Sequence, residues 1–150
     1  MISLRAPSKG EHATLTDLCI RAKAHWGYDD IFMAMCREEM TITPNDITPG
    51  NFQVAERDGV LTGVVSLAPC DDGIEIDLIY VDPDHMGMGV GRKLMGWAVN
   101  AARAMNADKL VIVADPHAEA FYLHLGAVRV GEYPSGSISG RMLPKLILKL

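Results

Sequence analysis

The chain has 150 residues, of which 49% are hydrophobic and 22% charged, and a formal net charge of -5. That length suits one domain over 1–150 with a real core, and the composition is that of an ordinary soluble globular protein. The charge argues against nucleic acid as the main partner, and no apolar run approaches the roughly 20 residues of a membrane helix.

The opening segment MISLRAPSKGEH lacks the apolar stretch of a signal peptide. Cys19, Cys36 and Cys70 are odd in number and widely spaced. They fit free thiols in a reducing compartment, so a cytoplasmic location is expected. The histidines form no HExxH and do not cluster with cysteine, so no metal site is expected.

In chain order, ISLRA reads as a first strand. Residues 11–24 read as a helix with Ala13, Leu15, Leu18 and Ala22 on one face. HWGY interrupts it at Gly27, and Asp29 or Asp30 can cap a second helix reaching about Met40. After the proline-punctuated TITPNDITPG the period changes. NFQVAE, the dipeptide Asp58-Gly59 and VLTGVVSLA predict a hairpin with a type I′ turn.

CDDG turns into a strand, IEIDLIYV, whose alternation puts Glu75, Asp77, Ile79 and Val81 on one face. A glycine-rich stretch leads into a helix from about Gly89 to Met105, with Leu94, Ala98, Ala101 and Met105 as its inner stripe. KLVIVA has the continuous apolar character of a strand buried on both faces. Asp115 then caps a short helix, with Pro116 at its first position and Gly126 as its stop.

AVRVGEY and RMLPKLILKL are two final strands around PSGSISG, a segment suited to covering a site or simply turning the chain. Pro144 suggests that the last strand lies at an edge, where its apolar face could join a second chain as a homodimer. The order β-α-α-β-β-β-α-β-α-β-β predicts an α/β (α+β) fold with a mixed, centrally antiparallel sheet flanked by helices.

Gly87, Gly89 and Gly91 alternate at the start of a helix. The Rossmann spacing fails because Arg92 stands at the third glycine. The Walker A pattern fails because Trp97 and Ala98 follow Gly96. What remains is a strand, a glycine turn and a helix N-terminus, whose unpaired N–H groups and positive dipole end suit a phosphate. Arg92 and Lys93 in that first turn are unfavourable for the helix dipole alone and make sense beside an anion.

IYVDPDHMGMGVGRKLM and DPHAEAFYLHLGAV, in this order and separation, resemble the two signature stretches of the GNAT superfamily of acyl-CoA-dependent N-acyltransferases. The resemblance covers almost the whole chain. Met86 stands where the family usually has Arg or Gln, and Asp115 where it usually has Asn.

The resemblance implies acetyl-CoA as cosubstrate and a small-molecule or peptide amine as acceptor, with direct transfer between them. By resemblance, Ile79, Tyr80 and Val81 pair with the pantetheine arm. Met86, Gly87, Met88, Gly89, Val90, Gly91 and Arg92 hold the pyrophosphate, with Asp115 and Ala118 beside it. Glu75 matches a frequent strand glutamate and is the candidate base, with Asp77 or a water as alternatives.

Tyr122 matches the tyrosine that protonates the departing thiolate. It lies next to a buried stripe expected of Ala118, Phe121 and Leu125. Trp26 and Tyr28 fall where the family builds its acceptor wall. A non-catalytic acyl-CoA sensor with the same fold is the alternative.

Overall fold

A computed structural model describes all 150 residues. It contains a seven-stranded sheet in the order β1-β2-β3-β4-β5-β7-β6. The strands are β1 (Ile2–Arg5), β2 (Phe52–Arg57), β3 (Val60–Cys70), β4 (Gly73–Val81), β5 (Lys109–Val113), β6 (Val128–Pro134) and β7 (Met142–Lys149). The helices are α1 (His12–Ala24), α2 (Asp30–Met40), α3 (Val90–Ala104) and α4 (Glu119–His124). The chain order is the one expected. Every strand pairing is antiparallel except β4 with β5.

Local chemistry explains the elements. Asp29 caps α2 by accepting from the Phe32 N–H at 2.8 Å. Asp58 and Gly59 both take positive φ, 54° and 79°, as a type I′ turn requires. β5 is buried at Leu110, Val111 and Ile112, so both its faces are covered, as its apolar run predicts.

The sheet separates two cores. One side packs Leu15, Leu18 and Cys19 of α1 and Cys36 and Met40 of α2 onto Phe52, Val54 and Val64. The other packs Val90, Leu94, Met95, Ala98 and Ala102 of α3, with Tyr122 of α4, onto Val65, Ile76, Leu110 and Ile112. The inner stripe of α3 therefore runs through Ala102; Met105 is 47% exposed, contrary to expectation. Ala13 is likewise on the outer face of α1.

Two further expectations are corrected. β7 is interior, paired on one side with β5 and on the other with β6, so β6 is the exposed edge. Pro144 is tolerated because it lies opposite Ala114, just past the last β5–β7 pair Val113↔Lys145, so the N–H it lacks falls beyond that ladder, while its carbonyl accepts the Ala114 N–H at 3.0 Å.

The alternation of β4 is also broken. Ser66 pairs with Leu78 but Leu67 with Ile76, leaving Asp77 as the extra residue of a β-bulge. Ile76, Ile79 and Val81 therefore pack toward α3, whereas Leu78 and Tyr80 pack toward α1 and α2. Glu75 does not share a face with Ile79 and Val81, because one inserted residue reverses every side chain beyond it. No helix is long and apolar enough to cross a membrane, and the three cysteines are unpaired.

Candidate active site

β4 and β5 pair only at Ile74↔Leu110, Glu75↔Val111 and Ile76↔Ile112. From the bulge onward they splay, and the β5-facing edge of β4 at Ile79, Tyr80 and Val81 has no strand partner. A cleft of about 540 Å³ opens in the gap. Ile76 and Ile112 form its floor, Ala22, Lys23 and Trp26 of the α1 end flank it, and Phe121 and Tyr122 close it.

At one end of the cleft lies the glycine turn. Asp82 accepts the Asp84 N–H at 2.9 Å, opening a tight turn over Pro83–His85 that delivers the chain to Met86. Gly87 and Gly89 take φ of 78° and 85°, where a side chain is strained. Gly91 serves differently: a Cβ there would lie 3.1 Å from the Phe121 ring, so this glycine lets α3 and α4 close together.

Gly89 is the N-cap of α3 and offers no side chain, and the first backbone bond of the helix runs from the Lys93 N–H to the Gly89 carbonyl at 3.1 Å. The N–H groups of Val90, Gly91 and Arg92 consequently have no partner in the chain. They point into an open glycine-lined mouth with the Arg92 side chain beside them. This is the geometry of an anion site built from backbone.

Of the residues expected at the cofactor, Ile79, Tyr80, Val81, Met86, Gly87, Gly89, Val90, Gly91, Arg92, Asp115 and Ala118 all line this cleft. Met88 does not; it is 48% exposed and its sulfur lies 2.9 Å from Arg57 Nη1.

Tyr122 is 5% exposed and is itself the buried residue of α4, whereas Phe121 is 36% exposed. The expected stripe is thus rotated, because the short helix turns its tyrosine toward the sheet and leaves the phenylalanine over Gly91. The Tyr122 hydroxyl has no hydrogen-bond partner in the chain. Burial, and then the charge of Asp115, hold this phenol above its ordinary pKa, so it stays protonated.

A second cavity, of about 500 Å³, meets the cleft at Ile76, Asp77 and Val113, which line both. Its charged walls are Glu39, Asp71, Asp72, Glu75, Asp77 and Lys145. Lys145 is engaged with Asp72 at 3.1 Å, so Glu39, Asp71, Glu75 and Asp77 face no paired cation. Desolvation raises the pKa of Glu75, with repulsion from Asp77 adding to it against Lys145. Desolvation also raises Asp77, as do the nearby Asp46 and Glu39 carboxylates, against an opposing contribution from Ser66.

Trp26 stacks on His117 with ring centroids 5.2 Å apart and lines the first cleft, not the second cavity. Tyr28 lines neither; its hydroxyl bonds Asp115 at 2.9 Å, and burial followed by that carboxylate pushes its phenol up to about 12. Missed from sequence are Lys23 and Glu39, which line the two cavities, and Arg141, which lines neither but reaches Asp115 at 3.6 Å. None has a local pattern, since each meets its partners only across the fold.

A sequence profile of the acetyltransferase (GNAT) family matches residues 12–127, and the chain belongs to that family. It is 34% identical over 108 residues to the L-amino acid N-acyltransferase MnaT of Escherichia coli (strain K12). The match spans 65% of this chain and 62% of that relative's length. Among solved structures, a GCN5-related N-acetyltransferase from Rhodopseudomonas palustris superposes with a TM-score of 0.82 at 22% identity, covering 99% of this chain and 95% of that one. The PaiA N-acetyltransferase from Thermoplasma acidophilum, solved with coenzyme A, gives 0.79 at 15% identity, covering 100% and 99%. At such identities the structural likeness speaks for the fold alone.

Proposed function

We propose that residues 1–150 form one acyl-CoA-binding domain, a cytoplasmic N-acetyltransferase that moves an acetyl group from acetyl-CoA to a primary amine by direct attack. The observation that carries this reading is the ending of the β4–β5 pairing at Ile76↔Ile112, with a cleft running from there to three unpaired N–H groups at the start of α3.

In this reading the pyrophosphate rests on the N–H groups of Val90, Gly91 and Arg92, with the Arg92 guanidinium adding charge where Met86 offers none. The pantetheine amides pair with the open backbone edge at Ile79, Tyr80 and Val81, leaving the thioester near the junction of the two cavities. Acetyl-CoA supplies the activated acyl group; the chain positions it and moves protons.

The amine arrives through the second cavity. An alkylammonium is mostly protonated at neutral pH and must lose a proton before it attacks. Glu75, Asp77 or a water held by them takes that proton, and their raised pKa values make them better bases. Tyr122, kept protonated by burial, donates to the thiolate as it leaves.

The carboxylates facing the second cavity favour an acceptor carrying positive charge, and the Escherichia coli relative is named for L-amino acids. The acceptor panel therefore comprises the L-amino acids and short diamines. The reading needs neither nucleic acid nor a membrane. A homodimer would form through β6, where Val128, Val130 and Tyr133 are exposed.

Calorimetric titration with acetyl-CoA, with NAD as the comparison, followed by thiol release across the panel, tests the proposal. Micromolar acetyl-CoA binding with silence toward NAD and turnover of at least one amine is expected. Binding without turnover of any amine would leave the non-catalytic acyl-CoA-binding reading, and no binding would reject both.

A further inference from the structure

The carboxylate of Asp115 stands on the wall of the cofactor cleft, two residues beyond the end of β5 and next to the buried Ala114. Its oxygens are already engaged. Oδ1 accepts the His117 N–H at 2.9 Å and lies 3.0 Å from the Tyr28 hydroxyl. Oδ2 accepts from that hydroxyl at 2.9 Å and from Lys23 Nζ at 3.1 Å, and it stands 3.6 Å from Arg141 Nη2. Arg141 Nη2 also donates to the Tyr28 oxygen at 2.8 Å.

The partners come from separate parts of the chain: Lys23 from the end of α1, Tyr28 from the α1–α2 link, and Arg141 from the β6–β7 connection. The rings of Tyr28 and Phe32 stack at 4.0 Å, with the Arg141 guanidinium 4.8 Å and Lys23 Nζ 5.9 Å from the Phe32 centroid. The side chains of Lys23, Asp115 and Arg141 are only 11%, 16% and 19% exposed. At the other end of the same connection, the Ser137 hydroxyl donates to the Glu39 carboxylate of α2.

Two cations thus converge on one carboxylate over a shared aromatic pair. Without that carboxylate, Lys23 and Arg141 would be largely buried like charges with their best partner gone, which is costly and relieved by moving apart. The segments that would move are the α1–α2 link, which lines the first cleft through Trp26, and residues 135–141, of which Gly136 lines the second cavity. The cleft floor at Ile76 and Ile112 and the glycine turn would stay in place, since neither depends on Asp115.

We propose that Asp115 is a positioning residue: its carboxylate clamps the α1–α2 link and the β6–β7 connection against the cofactor cleft, fixing where the acceptor amine sits, and it does not itself bind the cofactor. Naming these segments the acceptor side rests on the acyltransferase reading; the clamp does not.

The test compares wild type, Asp115→Asn, Arg141→Gln and the double variant. Asn keeps the hydrogen-bond acceptor for the Tyr28 hydroxyl and the His117 N–H but removes the charge. Hydrogen exchange at residues 26–30 and 135–141 should quicken by about tenfold in each single variant, with no further increase in the double. The acetyl-CoA Kd, by calorimetry, should stay within about twofold, and KM for the amine returned by the panel should rise about tenfold while KM for acetyl-CoA does not.

Unchanged exchange with a tenfold weaker acetyl-CoA Kd would make Asp115 a cofactor ligand and overturn the clamp, as would strictly additive effects in the double variant. If Asp115→Asn does not fold, Arg141→Gln alone still decides through the same exchange and KM readings. Wild-type protein silent toward acetyl-CoA would defeat the acyltransferase reading instead, while the exchange comparison would still report on the clamp.

Discussion

Replacing Tyr122 by Phe removes one oxygen from a side chain that is 5% exposed and whose hydroxyl has no partner in the chain. The buried unpaired side-chain atoms are Thr62 Oγ1, Ser66 Oγ and His85 Nδ1 and not this oxygen, which borders the open cleft where water can reach it, so losing it relieves no full desolvation cost. Its removal should therefore shift stability by less than about 1 kcal/mol, which is at most about 2–4 °C in Tm for a chain of this length. Activity should move the opposite way: losing a positioned general acid lowers kcat roughly 10²–10⁴-fold.

Because burial and Asp115 raise this phenol above its ordinary value near 10, it donates at every pH below that. The wild-type rate should thus show no loss from Tyr122 ionisation between pH 7 and 10. The assay is thiol release from acetyl-CoA with saturating amine, alongside calorimetry to confirm unchanged cofactor binding. A Tyr122→Phe enzyme turning over within threefold of wild type would refute the assignment, and a large drop in Tm would show the hydroxyl to be structural.

Other substitutions probe the scaffold. A Cβ at Gly63 would lie 2.9 Å from both Leu94 Cδ1 and Val90 Cγ1, and 3.1 Å from the Tyr80 carbonyl oxygen. Gly63→Ala should lose about 1–2 kcal/mol after the gain in chain stiffness is subtracted, read as a lower midpoint in urea. Gly89→Ala places a side chain at φ 85°, costing about 1–2 kcal/mol, and should weaken acetyl-CoA binding about tenfold by re-aiming the first N–H groups of α3. An unaltered Kd would argue against the anion site.

Glu75 titrates above its unfolded value, so the folded state binds its proton more tightly and is disfavoured once the group ionises. Glu75→Gln should raise Tm at pH 7–8, and the difference should vanish as pH falls below the unfolded carboxylate value of about 4.3. The same variant should lower kcat if Glu75 is the base.

The order of elements, the turn at Asp58-Gly59, the cap at Asp29 and the phosphate-suited start of α3 were legible in the sequence because each is a local event. A few neighbouring residues satisfy or expose backbone groups, whatever the rest of the chain does. The motif stretches around Gly87 and Tyr122 likewise located the cleft walls.

Three features needed the tertiary structure. The extra residue at Asp77 reverses the faces of β4, and its position depends on register with β3, which no pattern within β4 encodes. The burial of Tyr122 in place of Phe121 follows from how α4 leans on the sheet and on Gly91. The cluster joining Lys23, Tyr28, Asp115 and Arg141 spans most of the chain. A buried charge selects its partners by proximity after folding, so sequence exposes Asp115 as a cap and only the fold reveals it as the point where the two sides of the site are joined.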